Sequence, residues 1–96
     1  MRFAVLPDAE DEAKAARRWY RERSGVTASK FSQELHSTFQ RVCRTPLLHA
    51  PDDDGFRHVS MATFPYSVVY EVIDDVVTVV AVAHGRRDPG YWKRDR

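Results

Sequence analysis

The sequence predicts an α+β fold in which a helical hairpin packs on a mainly antiparallel sheet, in the order β-α-α-β-β-β. Two stretches with a helical period lie in the first half of the chain, and three stretches with strand character follow residue 55. The chain has 96 residues, enough for one hydrophobic core and too few for two. Residues 1–96 are therefore expected to form a single domain.

The N-terminal part predicts a short strand followed by a helix. Residues 2–6 (RFAVL) form an apolar run that Pro7 stops, which is typical of a strand at a sheet edge. Asp8 is a candidate N-cap for the helix. Small and aromatic residues then recur at intervals of four, three and four positions, at Ala9, Ala13, Ala16 and Tyr20. The same helix ends in basic residues, at Arg17, Arg18, Arg21 and Arg23.

A second helix is expected after a short connection. Gly25 is predicted to close the first helix, and Thr27 or Ser29 to begin the second. Its core-facing positions are Phe31, Leu35, Phe39 and Val42. Because the connection is short, the two helices should run antiparallel.

The C-terminal half predicts three strands, at residues 56–61, 64–73 and 76–84, after a loop rich in Pro, Asp and Gly. Asp74 and Asp75 supply a tight turn between the last two strands. The last strand, VVTVVAVA, is apolar almost throughout, so we expect it at the centre of the sheet, with the helices covering at least one side.

Composition limits the function classes. The net charge is only +1, so the total does not indicate a nucleic-acid binder, although residues 86–96 carry five basic residues against Asp88 and Asp95. The single cysteine, Cys43, has no partner for a disulfide or a zinc site and is expected to fill the core. No stretch approaches the roughly 20 apolar residues of a membrane-spanning helix, and the N-terminus lacks a long apolar run after its positive charge, so we expect a soluble, unexported protein. The single cysteine fits a reducing cytoplasm, and no cofactor or metal is expected.

One segment carries a family resemblance. FPYSVVYEV, a two-residue turn and VVTVVAVAHGRRDPGYW together resemble the C-terminal half of RelE/ParE superfamily toxins, and WYRER in the first helix is also similar to that family. The resemblance implies a toxin of a type II toxin-antitoxin module, a plasmid stabilisation protein that inhibits growth. A cognate antitoxin would wrap the toxin and block its active surface. In this superfamily the RelE branch cleaves mRNA in the ribosomal A site, and the ParE branch poisons DNA gyrase.

The resemblance also implies candidate site residues. Metal-free RNA cleavage must activate a ribose 2′-OH, stabilise the phosphate in the transition state and protonate the leaving oxygen. The catalytic candidates are His84, Arg86, Arg87 and Tyr91. The candidates for contact with nucleic acid or another target are Arg57, His58, Trp92, Lys93 and Arg94. The structural alternatives are a strand-capping histidine at His84 and a surface ion pair at the two arginines.

Ser67 distinguishes between the branches. It stands on the middle strand where RelE-like nucleases present an arginine. This departure favours a ParE-like gyrase poison. The alternatives are a RelE-like ribosome-dependent mRNA endoribonuclease and a non-toxic domain that only binds an antitoxin.

Overall fold

The computed structural model describes residues 1–93. Its elements in chain order are β1 (Arg2–Val5), α1 (Pro7–Arg21), α2 (Gly25–Arg44), β2 (Arg57–Ser60), β3 (Tyr66–Ile73), β4 (Val76–His84) and a 3₁₀ turn (Tyr91–Lys93). The sheet order is β1-β4-β3-β2, with β1 parallel to β4 and the other two pairs antiparallel. The α+β class, the element order and the inner position of the last strand are confirmed. Neither helix in residues 1–93 is long and apolar enough to cross a membrane.

The first helix begins earlier than predicted. α1 starts at Pro7, with Leu6 as an N-cap that makes no side-chain capping bond. The fixed φ of proline suits the first helical position, where its missing N–H costs nothing. The prediction of Asp8 as the cap was therefore wrong, and Asp8 lies in the first turn beside the positive end of the helix dipole.

The second helix also begins earlier than predicted. Gly25 is its first residue, rather than the end of α1, and neither Thr27 nor Ser29 begins the helix. Ser24 is the N-cap, and its hydroxyl oxygen accepts the Thr27 N–H at 3.3 Å. A serine side chain that accepts a first-turn N–H provides the start signal, so no glycine stop is needed between the helices.

Both predicted helical stripes are buried against one face of the sheet. The fully buried helix residues in this core are Ala9, Ala16, Phe31, Leu35 and Val42. An aromatic cluster joins the helices to the start of β3, with ring centroids 5.0 to 5.4 Å apart, and consists of Tyr20, Phe31, Phe64 and Tyr66. Cys43, predicted to fill the core, is instead exposed, because it follows the buried Val42 and so lies on the outer side of α2.

The other face of the sheet is covered by the end of the chain. The β3–β4 register passes from Val69 opposite Ala81 to Tyr70 opposite Val79, so Val80 is an extra residue in β4. Such a bulge lets consecutive residues share a face. Val80 and Ala81 both belong to a second buried cluster, and Tyr91 and Trp92 pack against it.

The turn between β3 and β4 has left-handed backbone at both central residues. Asp74 has a φ of 51° and Asp75 a φ of 65°. A two-residue hairpin turn of this kind matches the strand twist and favours Asn-Gly or Asp-Gly, because a side chain at the second position is strained. The Asp75 carbonyl also accepts the Arg2 N–H at 3.0 Å, so this turn holds the start of β1.

Asp75→Gly should raise the free energy of unfolding by roughly 1 kcal/mol, because glycine adopts positive φ without a steric penalty. Urea denaturation measures the change. Asp75→Ala is the matched control, because it removes the same carboxylate and keeps the Cβ, and it should not stabilise the protein. Equal effects of the two substitutions would contradict the strain argument.

Candidate functional site

A groove of about 670 Å³ opens between α1 and the adjoining ends of β3 and β4. The α1 side is lined by Glu12, Ala15, Ala16, Trp19 and Tyr20. The sheet side is lined by Pro65, Tyr66, Val82, His84, Arg86 and Arg87. Trp19 is 52% exposed, although it is a large aromatic residue. The groove therefore combines exposed aromatic surface with a basic end.

His84 and Arg86 lie together at the basic end of this groove. His84 is the last residue of β4 and lies opposite Tyr66 of β3, with the two rings edge to face at 5.0 Å. Its Nδ1 accepts the Arg86 backbone N–H at 3.0 Å. In a neutral imidazole this places the ring proton on Nε2. His84 is half-buried and Arg86 is exposed, so a molecule in the groove could reach both side chains.

Glu12 connects three elements at the edge of the groove. Its Oε1 accepts the Val82 N–H at 3.0 Å, and its Oε2 accepts the Tyr91 hydroxyl. The Arg87 guanidinium lies 3.7 Å from Glu12 Oε2 and 3.7 Å above the centre of the Tyr91 ring. One carboxylate thereby joins α1, β4 and the C-terminal segment.

The position of Glu12 follows from the shortness of β1. The β1–β4 pairing ends with Val5 opposite Val79, and the Leu6 N–H bonds the Val79 carbonyl at 2.9 Å. Beyond that point β1 no longer covers the outer edge of β4, because the chain enters α1 at Pro7. A half-buried backbone donor needs a partner, and Glu12 supplies it at Val82.

Tyr91 is held as a neutral phenol. Burial raises the pKa of Tyr91 well above its ordinary value, and the hydrogen bond to Glu12 and the charge of that carboxylate raise it further, while Arg87 acts in the opposite direction. A phenol in this state keeps its proton, donates a hydrogen bond to Glu12 and is not available as a general base near neutral pH.

Trp92 and His58 lie on the other face of the sheet. The Trp92 ring packs edge to face on Phe56 with centroids 6.3 Å apart, and on His58 with centroids 5.5 Å apart. Both contacts belong to the layer that the C-terminal segment forms over β2 and β4. Trp92 therefore helps to bury the second cluster.

Lys93 pairs with the acidic loop before β2. Its ammonium lies 2.5 Å from Asp54 and 3.5 Å from Asp52, and the bond to Asp54 is the main cause of a raised Lys93 pKa. Asp52 also accepts His58 Nε2 at 3.0 Å. That bond does most to hold the pKa of Asp52 well below its ordinary value, against desolvation and with help from the Phe56 and Asp54 N–H groups.

The predicted site residues thus fall into separate places. His84, Arg86 and Arg87 share the groove, and Tyr91 joins them through Glu12. The residues on the opposite face of the sheet are His58, Trp92 and Lys93. Arg57 donates to the His49 carbonyl at 2.6 Å and so holds the loop after α2. Arg94 lies outside the described residues.

Sequence reasoning missed Glu12 and the aromatic lining of the groove. Glu12 is not among the predicted site residues, although it lies one residue before Ala13 and four before Ala16, at the margin of the buried stripe. A carboxylate at the margin of a buried stripe is the feature of the sequence that could have identified Glu12.

Ser67 lies on β3, and its hydroxyl is 3.3 Å from the hydroxyl of Ser60 on β2.

Comparisons with known proteins agree on one family. The family model of the ParE toxin of type II toxin-antitoxin system, parDE, matches residues 4–89. Toxin ParE2 of Mycobacterium tuberculosis, in two strains, is 25% identical over 89 residues, which are 92% of this chain and 85% of the relative. A solved structure of the chromosomal ParDE toxin-antitoxin system from P. aeruginosa has a TM-score of 0.71 at 15% identity and covers 88% of this chain and 95% of that chain. That structure shares the fold.

A double-mutant cycle should reveal the bond between Glu12 and Tyr91. Glu12→Ala should cost about 2 to 3 kcal/mol of stability, because it leaves the Val82 N–H and the Tyr91 hydroxyl without their acceptor. Tyr91→Phe should cost about 1 to 2 kcal/mol. The double variant should lose about 1 kcal/mol less than the sum, measured by urea denaturation.

Glu10→Ala is the control for this cycle, because Glu10 is exposed on the same helix, and it should change stability by less than about 0.5 kcal/mol. Strictly additive losses at Glu12 and Tyr91 would show that the two side chains are energetically independent.

Proposed function

This chain belongs to the ParE toxin family of type II toxin-antitoxin systems, and from that premise we propose that it acts in the cytoplasm by poisoning DNA gyrase. The match to the ParE toxin model over residues 4–89 is the observation that carries the proposal. Gyrase poisoning is the activity that resemblance to the ParE branch implies. Membership of this family also supports a cognate antitoxin as partner.

Two of the candidate catalytic side chains already bond to other groups of the chain, which supports gyrase rather than RNA as the target. The Tyr91 hydroxyl already donates to Glu12, and its raised pKa keeps it protonated near neutral pH, so it is not available as a base. Arg87 is shared between Glu12 and the Tyr91 ring. Ser67 occupies the position where RelE-like nucleases present an arginine. Three groups that RNA cleavage would use are thus engaged or replaced.

The alternative, a ribosome-dependent mRNA endoribonuclease, is supported by one pair of residues. His84 and Arg86 stand together at the basic end of the groove. In this mechanism His84 would protonate the leaving oxygen as an imidazolium, with its Nδ1 released from the Arg86 N–H, and Arg86 would hold the phosphate. Substitution of His84 or Arg86 should therefore abolish activity if mRNA is the target, which distinguishes the two proposals.

We also propose that an antitoxin segment occupies the groove and thereby blocks the active surface. Trp19, Tyr20 and Tyr66 offer aromatic walls to apolar side chains. Arg86 at the rim offers charge to an acidic residue of the antitoxin. A segment with an apolar anchor and a nearby carboxylate matches this lining.

The whole chain, incubated with purified gyrase, ATP and supercoiled plasmid, should trap cleavage complexes that appear as linear DNA after detergent and protease treatment. A parallel reaction with translating ribosomes should leave the mRNA uncut. Intact plasmid together with A-site cuts that disappear in His84→Ala would instead establish the endoribonuclease. Inactivity in both reactions, with harmless expression in cells lacking the antitoxin, would identify a non-toxic binding domain.

Trp19→Ala should weaken binding of the co-expressed antitoxin by about 30-fold, corresponding to about 2 kcal/mol, because an exposed tryptophan in a groove is a typical binding hot spot. Titration calorimetry measures the affinity. Val26→Ala removes another exposed apolar side chain away from the groove and should change the affinity by less than about threefold. Unchanged binding by Trp19→Ala would place the antitoxin elsewhere.

A further inference from the structure

The total charge conceals an uneven distribution of charge along the chain. Residues 13–44 contain eight Lys and Arg against two acidic residues, a net charge of +6, and the other positions contain seven Lys and Arg against twelve acidic residues, a net charge of −5. Glu34, one of the two acids in residues 13–44, accepts the Thr63 N–H at 2.8 Å, so it is engaged with the loop before β3. The whole hairpin, residues 7–44, has a net charge of only +2, because α1 begins with Asp8, Glu10, Asp11 and Glu12. The positive charge is therefore concentrated in the part of the hairpin that follows this acidic start.

Four of these cations form a stripe on the outer face of α1. All four are exposed: they are Lys14 and the arginines three, four and seven positions after it, Arg17, Arg18 and Arg21. This spacing places them side by side on one face of the helix over roughly 10 Å. Within residues 1–93 none of the four has a carboxylate partner within ion-pair distance, whereas Arg87 and Lys93 of the C-terminal segment do. The unneutralised charge therefore lies on the helix rather than on the described part of the tail.

The stripe borders a seam between the two helices, defined here by Lys14, Arg17, Arg21, Ser29, Ser32 and Gln33. Two shallow depressions of about 220 and 580 Å³ lie along the seam and share Arg17 and Ser32. The larger depression is lined, among the described residues, by Arg17, Arg21, Gly25, Ala28, Ser29, Ser32 and Gln33. Guanidinium groups thus face hydroxyl and amide groups across the seam.

We propose that this seam binds the phosphate backbone of duplex DNA. Arginine, lysine, serine and glutamine side chains are the usual donors to DNA phosphates. A partner protein would need apolar anchors to bury, and the larger depression offers only glycine and alanine as apolar surface. The smaller depression is lined by Phe31 and Leu35, which are already buried in the core, and by Ala13 and Phe39, which are partly buried. Charge complementarity with a polyanion therefore favours DNA over an acidic protein segment.

The test measures binding of the whole chain to a labelled duplex of about 25 base pairs by fluorescence anisotropy, across a salt series. Binding should weaken linearly in log–log form as salt rises. Replacing Arg17→Gln and Arg21→Gln together should lower affinity at least tenfold at about 0.1 M salt and reduce the magnitude of the salt slope by roughly 2, because two phosphate contacts are lost.

The double substitution Arg41→Gln and Arg44→Gln is the matched control. Both residues are exposed at the far end of α2, and replacing them removes the same charge as the seam variant does. This pair should change affinity by less than about threefold, and both double variants should keep the circular dichroism spectrum and melting temperature of the parent.

Equal losses in the two double variants would mean that net charge alone drives binding and would overturn the assignment of a site. Absence of duplex binding at low salt would overturn it too. The assignment would also be overturned if the seam variants bound DNA normally but no longer bound a glutamate-rich peptide. In that case the seam would be a binding surface for an acidic protein. The assay contains no gyrase, so its outcome is separate from that of the gyrase proposal.

Discussion

The bond between Glu12 and the exposed edge of β4 is the interaction on which the rest of the molecule depends. β1 is too short to cover β4 along its length, and the chain leaves the sheet at Pro7 to become α1. The carboxylate that returns from that helix takes the Val82 N–H and then the Tyr91 hydroxyl. One side chain thus joins α1 to the edge of β4 and to the C-terminal segment beside the groove, while the buried helical stripes pack the helices on the sheet.

Much of the fold was readable from local patterns, because burial on one face imposes a period. The limits of β4 and the helical stripe ending at Val42 follow from that rule. The first residues of the two helices could not be predicted in this way. Pro7 and Ser24 mark the observed starts, but neighbouring residues are equally suitable for the N-cap position. Cys43 was misplaced because composition alone does not tell which side of a helix a residue faces.

The site was less predictable because its pairings are distant in sequence. The tail looked uniformly basic and aromatic, and the acids that engage it lie far away, at Glu12 for Arg87 and at Asp52 and Asp54 for Lys93. No periodicity connects such residues, so the sequence could not separate the groove residues from those on the opposite face. The basic residues of α1 were visible in the sequence. The fold was needed to show that Lys14, Arg17, Arg18 and Arg21 make no ion pair within residues 1–93.

The parallel pairing of β1 with β4 also affects how this molecule is made. β1 is synthesised first, yet its partner is the last strand, and Asp75 and Val79 supply acceptors for Arg2 and Leu6. Contacts this distant in sequence form late and slowly. The native sheet, and the groove at its edge, therefore cannot close until the final strand has been synthesised. A nascent chain that lacks β4 has neither the pairing of β1 nor a complete sheet side of the groove.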